Sequence, residues 1–198
     1  MSWLGQQATP TVVAFALWAL WLVSWLAASG WSKRAAKRPS MARQAPDRFI
    51  TALGVLLLFA NYRIFNNAPV TQQLYALSGA PAWSLTGLVA LGILFAWWAR
   101  IHLGSLWSGN VTQKEGHRII ETGPYAIVRH PIYTGLLLSA YALAGLRAAP
   151  VAFAGAALIT LGWYLKARLE ERFLSGDLGP EYAAYRARVP MLVPFIGV

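Results

Sequence analysis

Two polar segments of this 198-residue chain hold most of the side chains that could take part in a reaction. The first runs from His117 to Gly135 and reads His-Arg-Ile-Ile-Glu-Thr-Gly-Pro-Tyr-Ala-Ile-Val-Arg-His-Pro-Ile-Tyr-Thr-Gly. Gly123-Pro124 is a turn signal. His130-Pro131 opens a helix, with proline at the first helical position, where its missing N–H costs nothing. Such a helix start presents free N–H groups and a positive dipole end, a natural seat for a ligand carboxylate. Tyr133 sets a phenol near that mouth, and Gly135 lets a backbone or a ligand approach closely. Taken alone, His130 and Tyr133 are equally well read as interfacial residues at a helix end.

The second segment, Trp163 to Arg172, is a helix end carrying Lys166, Arg168, Glu170, Glu171 and Arg172. Spacings of three and four put Tyr164, Arg168, Glu171 and Arg172 on one face, with Glu170 beside Lys166. A charge run of this kind is usually a solvated helix end. Two packed helices of one hairpin, however, would bring His130 close to Glu170 and Glu171.

Other chemistries find little support. With no cysteine there are no disulfides, thiolate zinc sites or cysteine nucleophiles. No GxGxxG follows a strand pattern, and no GxxxxGK[ST] occurs. His102, His117 and His130 fit no tight metal-ligand spacing, so no metal is expected.

The elements that must position these residues are apolar. Hydrophobic residues make up 57% and charged residues 12% of the chain, and the mean hydropathy is +0.46. A soluble domain carries about 25% charged residues. Ten tryptophans suit helix ends at two membrane–water interfaces. Five spans are expected: Thr11–Trp31, roughly Phe49–Ile64, roughly Ala82–Trp98, and a tight hairpin of Ile132–Leu146 and Ala149–Leu165 joined by Arg147-Ala-Ala-Pro150. The first run is longer than a signal-peptide core and has no basic residue before it, so it reads as a span. The fold expected is an all-α bundle forming one membrane domain, with residues 1–99 supplying N-terminal spans and 100–198 a C-terminal half that holds the site.

Charge sets the orientation. Six basic residues lie between Lys33 and Arg48, four between Arg100 and Arg129, and five between Lys166 and Arg188; Arg63 and Arg147 alone fall on the other side. The positive-inside rule then puts the N-terminus outside and the C-terminus in the cytoplasm. All seven acids fall on the same side. The net charge of +10 is explained by this topology, so no nucleic-acid partner is expected. The basic connector Ser32–Asp47 could attract anionic lipid head groups, and Arg63 reads as snorkelling to the outer surface.

In combination, Gly123-Pro-Tyr125, Arg129-His-Pro-Ile-Tyr-Thr-Gly135, Glu170-Glu171 and the tail Leu178-Gly-Pro-Glu-Tyr182, Tyr185, Val189-Pro190 and Leu192-Val-Pro194 resemble the isoprenylcysteine carboxyl methyltransferase family. The resemblance covers roughly Arg100 to the C-terminus. It implies a multi-span helical fold with S-adenosylmethionine in a cytoplasmic pocket. Carried over by position, that pocket would be lined by His117, Ile119, Ile120, Tyr125, His130, Pro131, Tyr133 and Glu171. Glu170 and Glu171 would form the catalytic pair, with Arg168, or Lys166 in its place, facing the substrate carboxylate. The implied reaction is carboxyl O-methylation of an isoprenylcysteine-like, lipophilic or lipidated acceptor. Phospholipid N-methylation would use the same pocket. A sterol-type membrane reductase using a nicotinamide cofactor shares a similar RH-x-x-Y-x-G, but the Glu-Glu pair favours methyl transfer.

Overall fold

The computed structural model describes residues 3–31, 35–37, 41–60, 68–104, 113–114 and 119–196. Five long helices dominate them: α1 (Trp3–Ala27), α2 (Met41–Phe59), α3 (Gly79–Leu103), α4 (Pro131–Arg147) and α5 (Pro150–Arg186). Short 3-10 turns cover Ala28–Trp31, Pro69–Thr71 and Gly123–Ala126. Two short strands, β1 (Ala35–Lys37) and β2 (Gln113–Lys114), pair antiparallel between connecting segments. The architecture is the all-helical one expected.

Three stretches are long and apolar enough to cross a bilayer: Thr9–Gly30, Gly79–Leu103 and Pro150–Gly176. The helices α2 and α4 are shorter, at 19 and 17 residues. Leu20, Val23 and Leu26 on α1, Leu56 on α2, and Leu91 and Leu94 on α3 all point outward and exposed. A soluble monomer rarely shows so continuous an apolar surface, whereas lipid would cover it.

The helices pack as two intimate pairs, α2 with α5 and α3 with α4; α1 leans on α3, and α4 on α5. Each pair crosses at facing glycines. A Cβ on Gly54 would lie 2.7 Å from the Gly155 carbonyl oxygen, and a Cβ on Gly92 would strike the Gly135 carbonyl. Small residues at such crossings let backbones approach, which is how helices associate when lipid removes the hydrophobic drive. Interhelical hydrogen bonds add to this. Ser139 Oγ donates to Val89 O at 2.8 Å, and Thr86 Oγ1 donates to Pro10 O at 3.1 Å.

Two departures from expectation matter for the site. Apolar residues alone start the second helix near Phe49, yet α2 begins at Met41, so the polar stretch carrying Gln44, Asp47 and Arg48 is helical and packed. The last helix continues far beyond Leu165, to Arg186, with one non-helical residue at Gly179 (φ 51°) just before Pro180. That kink turns the final turns back towards α4. The expected hairpin is present: α4 ends at Arg147, Ala148 takes a left-handed conformation (φ 53°), and Pro150 starts α5.

Candidate active site

The open end of the α4–α5 hairpin gathers the ionisable groups. His130 is the N-cap residue of α4, and Pro131 follows at its first position. The Arg129-His130 backbone is held by the C-terminal tail. Arg129 N–H donates to Pro190 O at 2.8 Å and His130 N–H to Met191 O at 3.1 Å, while Thr134 Oγ1 donates to Leu192 O at 2.6 Å. The His130 side chain makes no capping bond, which frees its ring for the cluster.

From α5, Glu170 and Glu171 meet that ring from two sides. His130 Nδ1 lies 3.4 Å from Glu170 Oε2, and Nε2 lies 3.4 Å from Glu171 Oε1. The latter contact lacks hydrogen-bond geometry, so among the described residues Nε2 is buried without a hydrogen-bond partner. Tyr133 OH donates to Glu170 Oε1 at 2.8 Å. Arg129 Nε donates to Glu171 Oε1 at 2.7 Å, and its Nη1 donates to Arg186 O at 3.1 Å and to Val189 O. Arg186 Nε sits 3.5 Å from Glu171 Oε2. Glu171, only 4% exposed, is thus compensated on both oxygens, as a buried carboxylate must be.

Aromatic faces complete the wall. The rings of His130 and Tyr133 stack at 5.5 Å and 6°, and Tyr133 stacks on Trp163 at 5.6 Å and 23°. Lys166 Nζ stands 5.4 Å over the Tyr133 ring. Burial alone would lower the His130 pKa, but the Glu170 and Glu171 carboxylates beside it outweigh burial and hold it above its usual value. Tyr185, which donates to Tyr125 O at 2.7 Å, and Tyr182 are both pushed up by burial and stay protonated. Tyr125 itself donates to Ala99 O at 3.4 Å and stacks with His102 at 6.4 Å, so its hydroxyl points towards α3.

Residues 85–175 match the model of the isoprenylcysteine carboxyl methyltransferase (ICMT) family. That segment is slightly less than half of the chain, and over it the chain is similar to this family. The family segment runs from α3 through most of α5 and contains His130, Glu170 and Glu171, but neither α2 nor the tail. Among curated relatives, "Methanethiol S-methyltransferase 2" of Bradyrhizobium diazoefficiens is 33% identical over 79% of this chain and 61% of its own length. "Protein-S-isoprenylcysteine O-methyltransferase B" of Arabidopsis thaliana is 29% identical over 43% of this chain and 44% of its own. "Cobalt-zinc-cadmium resistance protein CzcN" of Cupriavidus metallidurans is 32% identical over 57% and 51%. The chain therefore spans about three-fifths of the first relative's length and about half of the other two.

Against this family frame, His130, Pro131, Tyr133, Glu170 and Glu171 stand together. Ile119 packs on the Tyr182–Tyr185–Val189 cluster, and Ile120 is half-buried beside it in sequence. His117 lies outside the described residues, as does Arg63. Arg168 is not brought to the cluster: it is exposed, bonded through Nη1 to Tyr164 OH at 3.2 Å, with its guanidinium over that ring. Lys166 takes the inner position instead. The sequence reading gave no role to Arg129, Trp163 or Arg186. The signal for Arg129 was its place immediately before His130 in the ICMT-like motif.

Proposed function

We propose that this chain is an integral membrane methyltransferase that uses S-adenosylmethionine and meets a lipophilic acceptor at the bilayer. The observation that carries this reading is the buried His130–Glu170–Glu171–Arg129 cluster, seated inside the family segment at one end of an apolar bundle. The residues present fit the donor. His130 Nε2, buried and without a hydrogen bond among the described residues, together with the N–H groups opening α4, suits a ligand oxygen. Glu170 and Glu171 suit an ammonium or hydroxyls, and the faces of Tyr133 and Trp163 suit a sulfonium. Ile119, Ile120, Tyr125 and Pro131 would supply the remaining wall. When bound, the cofactor supplies an activated methyl group on positively charged sulfur. The protein then contributes position and the exclusion of water.

Two acceptor chemistries are supported. Carboxyl O-methylation of an isoprenylcysteine-like molecule follows the family, and thiol S-methylation follows a relative that matches 79% of this chain. Charge asymmetry supports a cytoplasmic side for the cluster in either case. Calorimetric titration of the detergent-purified protein with S-adenosylmethionine, S-adenosylhomocysteine and NADPH tests the donor. Saturable binding of the first two is expected; binding of NADPH alone would replace methyl transfer with reduction.

A further inference from the structure

The chain that follows α5 carries no charge from Val189 to Val198. It runs beside the start of α4 and moves further along that helix as it goes. The Pro190 carbonyl accepts from Arg129 N–H, the Met191 carbonyl from His130 N–H, and the Leu192 carbonyl from Thr134 Oγ1. Beyond Leu192 the chain turns, with Ile196 N–H donating to Val193 O at 3.2 Å. We propose that this turn, Val193–Ile196, is a membrane anchor set in the head-group and upper acyl region of the bilayer, and that lipid thereby holds the strap that fixes Arg129 and His130. The inference goes beyond the methyl-transfer reading and does not depend on it.

Three observations converge. The first is exposure. Met191, Leu192 and Pro194 are half-buried, whereas Val193, Phe195 and Ile196 are 52%, 95% and 67% exposed. Phe195 also stands in a left-handed backbone conformation (φ 66°), which residues with a side chain rarely adopt. Water gives such a phenylalanine no compensation, while the head-group and acyl boundary of a bilayer takes up its apolar ring. The second is depth. Thr134 adjoins Tyr133, whose ring stacks on Trp163, so Leu192 lies near the level of Trp163. No charge occurs from Ile132 to Leu146 or from Pro150 to Leu165, and Thr134 and Trp163 each sit two residues inside the open end of their run. The turn therefore starts where the apolar part of the hairpin begins. The third is the order of charge. Arg186 and Arg188 are exposed and lie at the level of Arg129, which holds the Arg186 carbonyl; Arg188 also pairs with Glu121. Cations at the rim with apolar side chains deeper is the order an interfacial anchor needs.

A second copy of the chain is a poorer occupant. Three side chains fall far short of the ~1,000 Å² that a specific protein interface needs. The consequence for the site follows from the same hydrogen bonds. The strap supplies carbonyls to Arg129, His130 and Thr134, and the Arg129 guanidinium that holds the Val189 carbonyl also holds Glu171. Anchored in lipid, the turn keeps these partners in register. Pulled into water, it would loosen the backbone that opens α4.

Because the chain has no cysteine, Phe195→Cys gives a single site for an NBD fluorophore, and Glu181→Cys, exposed on α5, gives the control. Both labelled full-length proteins are placed in nanodiscs of phosphatidylcholine and phosphatidylglycerol. The Phe195 label should be quenched by lipid carrying a nitroxide near its ester groups and protected from reduction by aqueous dithionite; the Glu181 label should behave in the opposite way. A Phe195 label reduced as fast as the control overturns the anchor. So does one shielded from dithionite and nitroxide alike, which would mean that protein covers the turn. The hold on the strap is read by hydrogen exchange of the Arg129 and His130 amides in the same nanodiscs. Phe195→Asp should speed that exchange by about 10–100-fold, the opening expected when one apolar side chain loses its burial. Phe195→Trp, which keeps an interfacial aromatic, should leave it unchanged. Exchange in Phe195→Asp that matches the wild type overturns the link between lipid and strap.

Discussion

The two ends of the α4–α5 hairpin each hold a part-buried arginine, and they use it differently. At the closed end, Arg147 donates to Leu58 O at 3.0 Å and Ala60 O at 2.6 Å, and its guanidinium lies 5.4 Å from the Phe15 ring. Both of these carbonyls lie at the end of α2 and are groups that do not titrate. At the open end, Arg129 also holds backbone carbonyls, those of Arg186 and Val189, but its Nε is committed to Glu171. Around that pair stand His130, Glu170 and Tyr133. The first arrangement finishes a helix whose last carbonyls lack intrahelical donors. The second gathers groups that can exchange protons and partners. An arginine near a helix end is therefore not informative by type; its company is.

The comparison is broken most severely at Glu171. Glu171→Gln leaves Arg129 and His130 buried against a neutral amide, and removing one partner of a buried pair costs about 3–5 kcal/mol. A large fall in thermal midpoint in detergent is expected, together with loss of at least tenfold in donor affinity. If midpoint and donor affinity both stay at wild-type values, the open end is no more functional than the closed one.

Arg147→Ala sharpens the contrast from the other side. Two hydrogen bonds from a charged group to helix-end carbonyls are worth about 1–3 kcal/mol. Stability should fall by that order, while turnover per folded molecule is unchanged. A drop in turnover at equal folded fraction would mean that the closed end communicates with the site.

A smaller effect is expected from pH. Because Glu170 and Glu171 hold the His130 pKa above its usual value, the imidazolium adds stability that is fully present below about pH 6.5, the ordinary histidine pKa. That contribution is lost as pH rises through the elevated folded-state value. Thermal melts of the wild type should therefore weaken from neutral towards alkaline pH, and His130→Gln should flatten that limb. Parallel slopes for the two proteins would show that His130 is not the titrating group.

Much of this was readable from residue order because it depends on local rules. Proline at the first turn of α4, the Arg147–Pro150 turn and the apolar runs each act within a few residues. What the order of residues did not show depends on contacts made at long range. Arg129 was visible as part of a motif, but its partner Glu171 is 42 positions away and its carbonyl partners lie further on in the tail. The polar start of α2 was equally hidden. Hydropathy marks where a helix becomes apolar, not where it begins, so Gln44 and Asp47 read as connector although the fold buries both.

Arg168 is the position where local and long-range reasoning disagree, and it carries the smallest expected effect. Three residues along a helix is a rotation of about 300°, so Arg168 and Glu171 are offset by roughly 60°. On a solvated helix end that offset still counts as one face. Against a neighbouring helix it is enough to put Glu171 in the buried seam and leave Arg168 outside, stacked on Tyr164. Arg168→Ala should accordingly change stability by no more than about 0.5 kcal/mol, as surface substitutions do, and leave donor affinity within about twofold. Lys166→Ala, compared in the same titration and turnover assays, should damage turnover more, because its ammonium stands over the Tyr133 ring beside the carboxylate cluster. The reverse order, with Arg168→Ala impairing acceptor use and Lys166→Ala silent, would mean that α5 turns its other face to the substrate in the working enzyme.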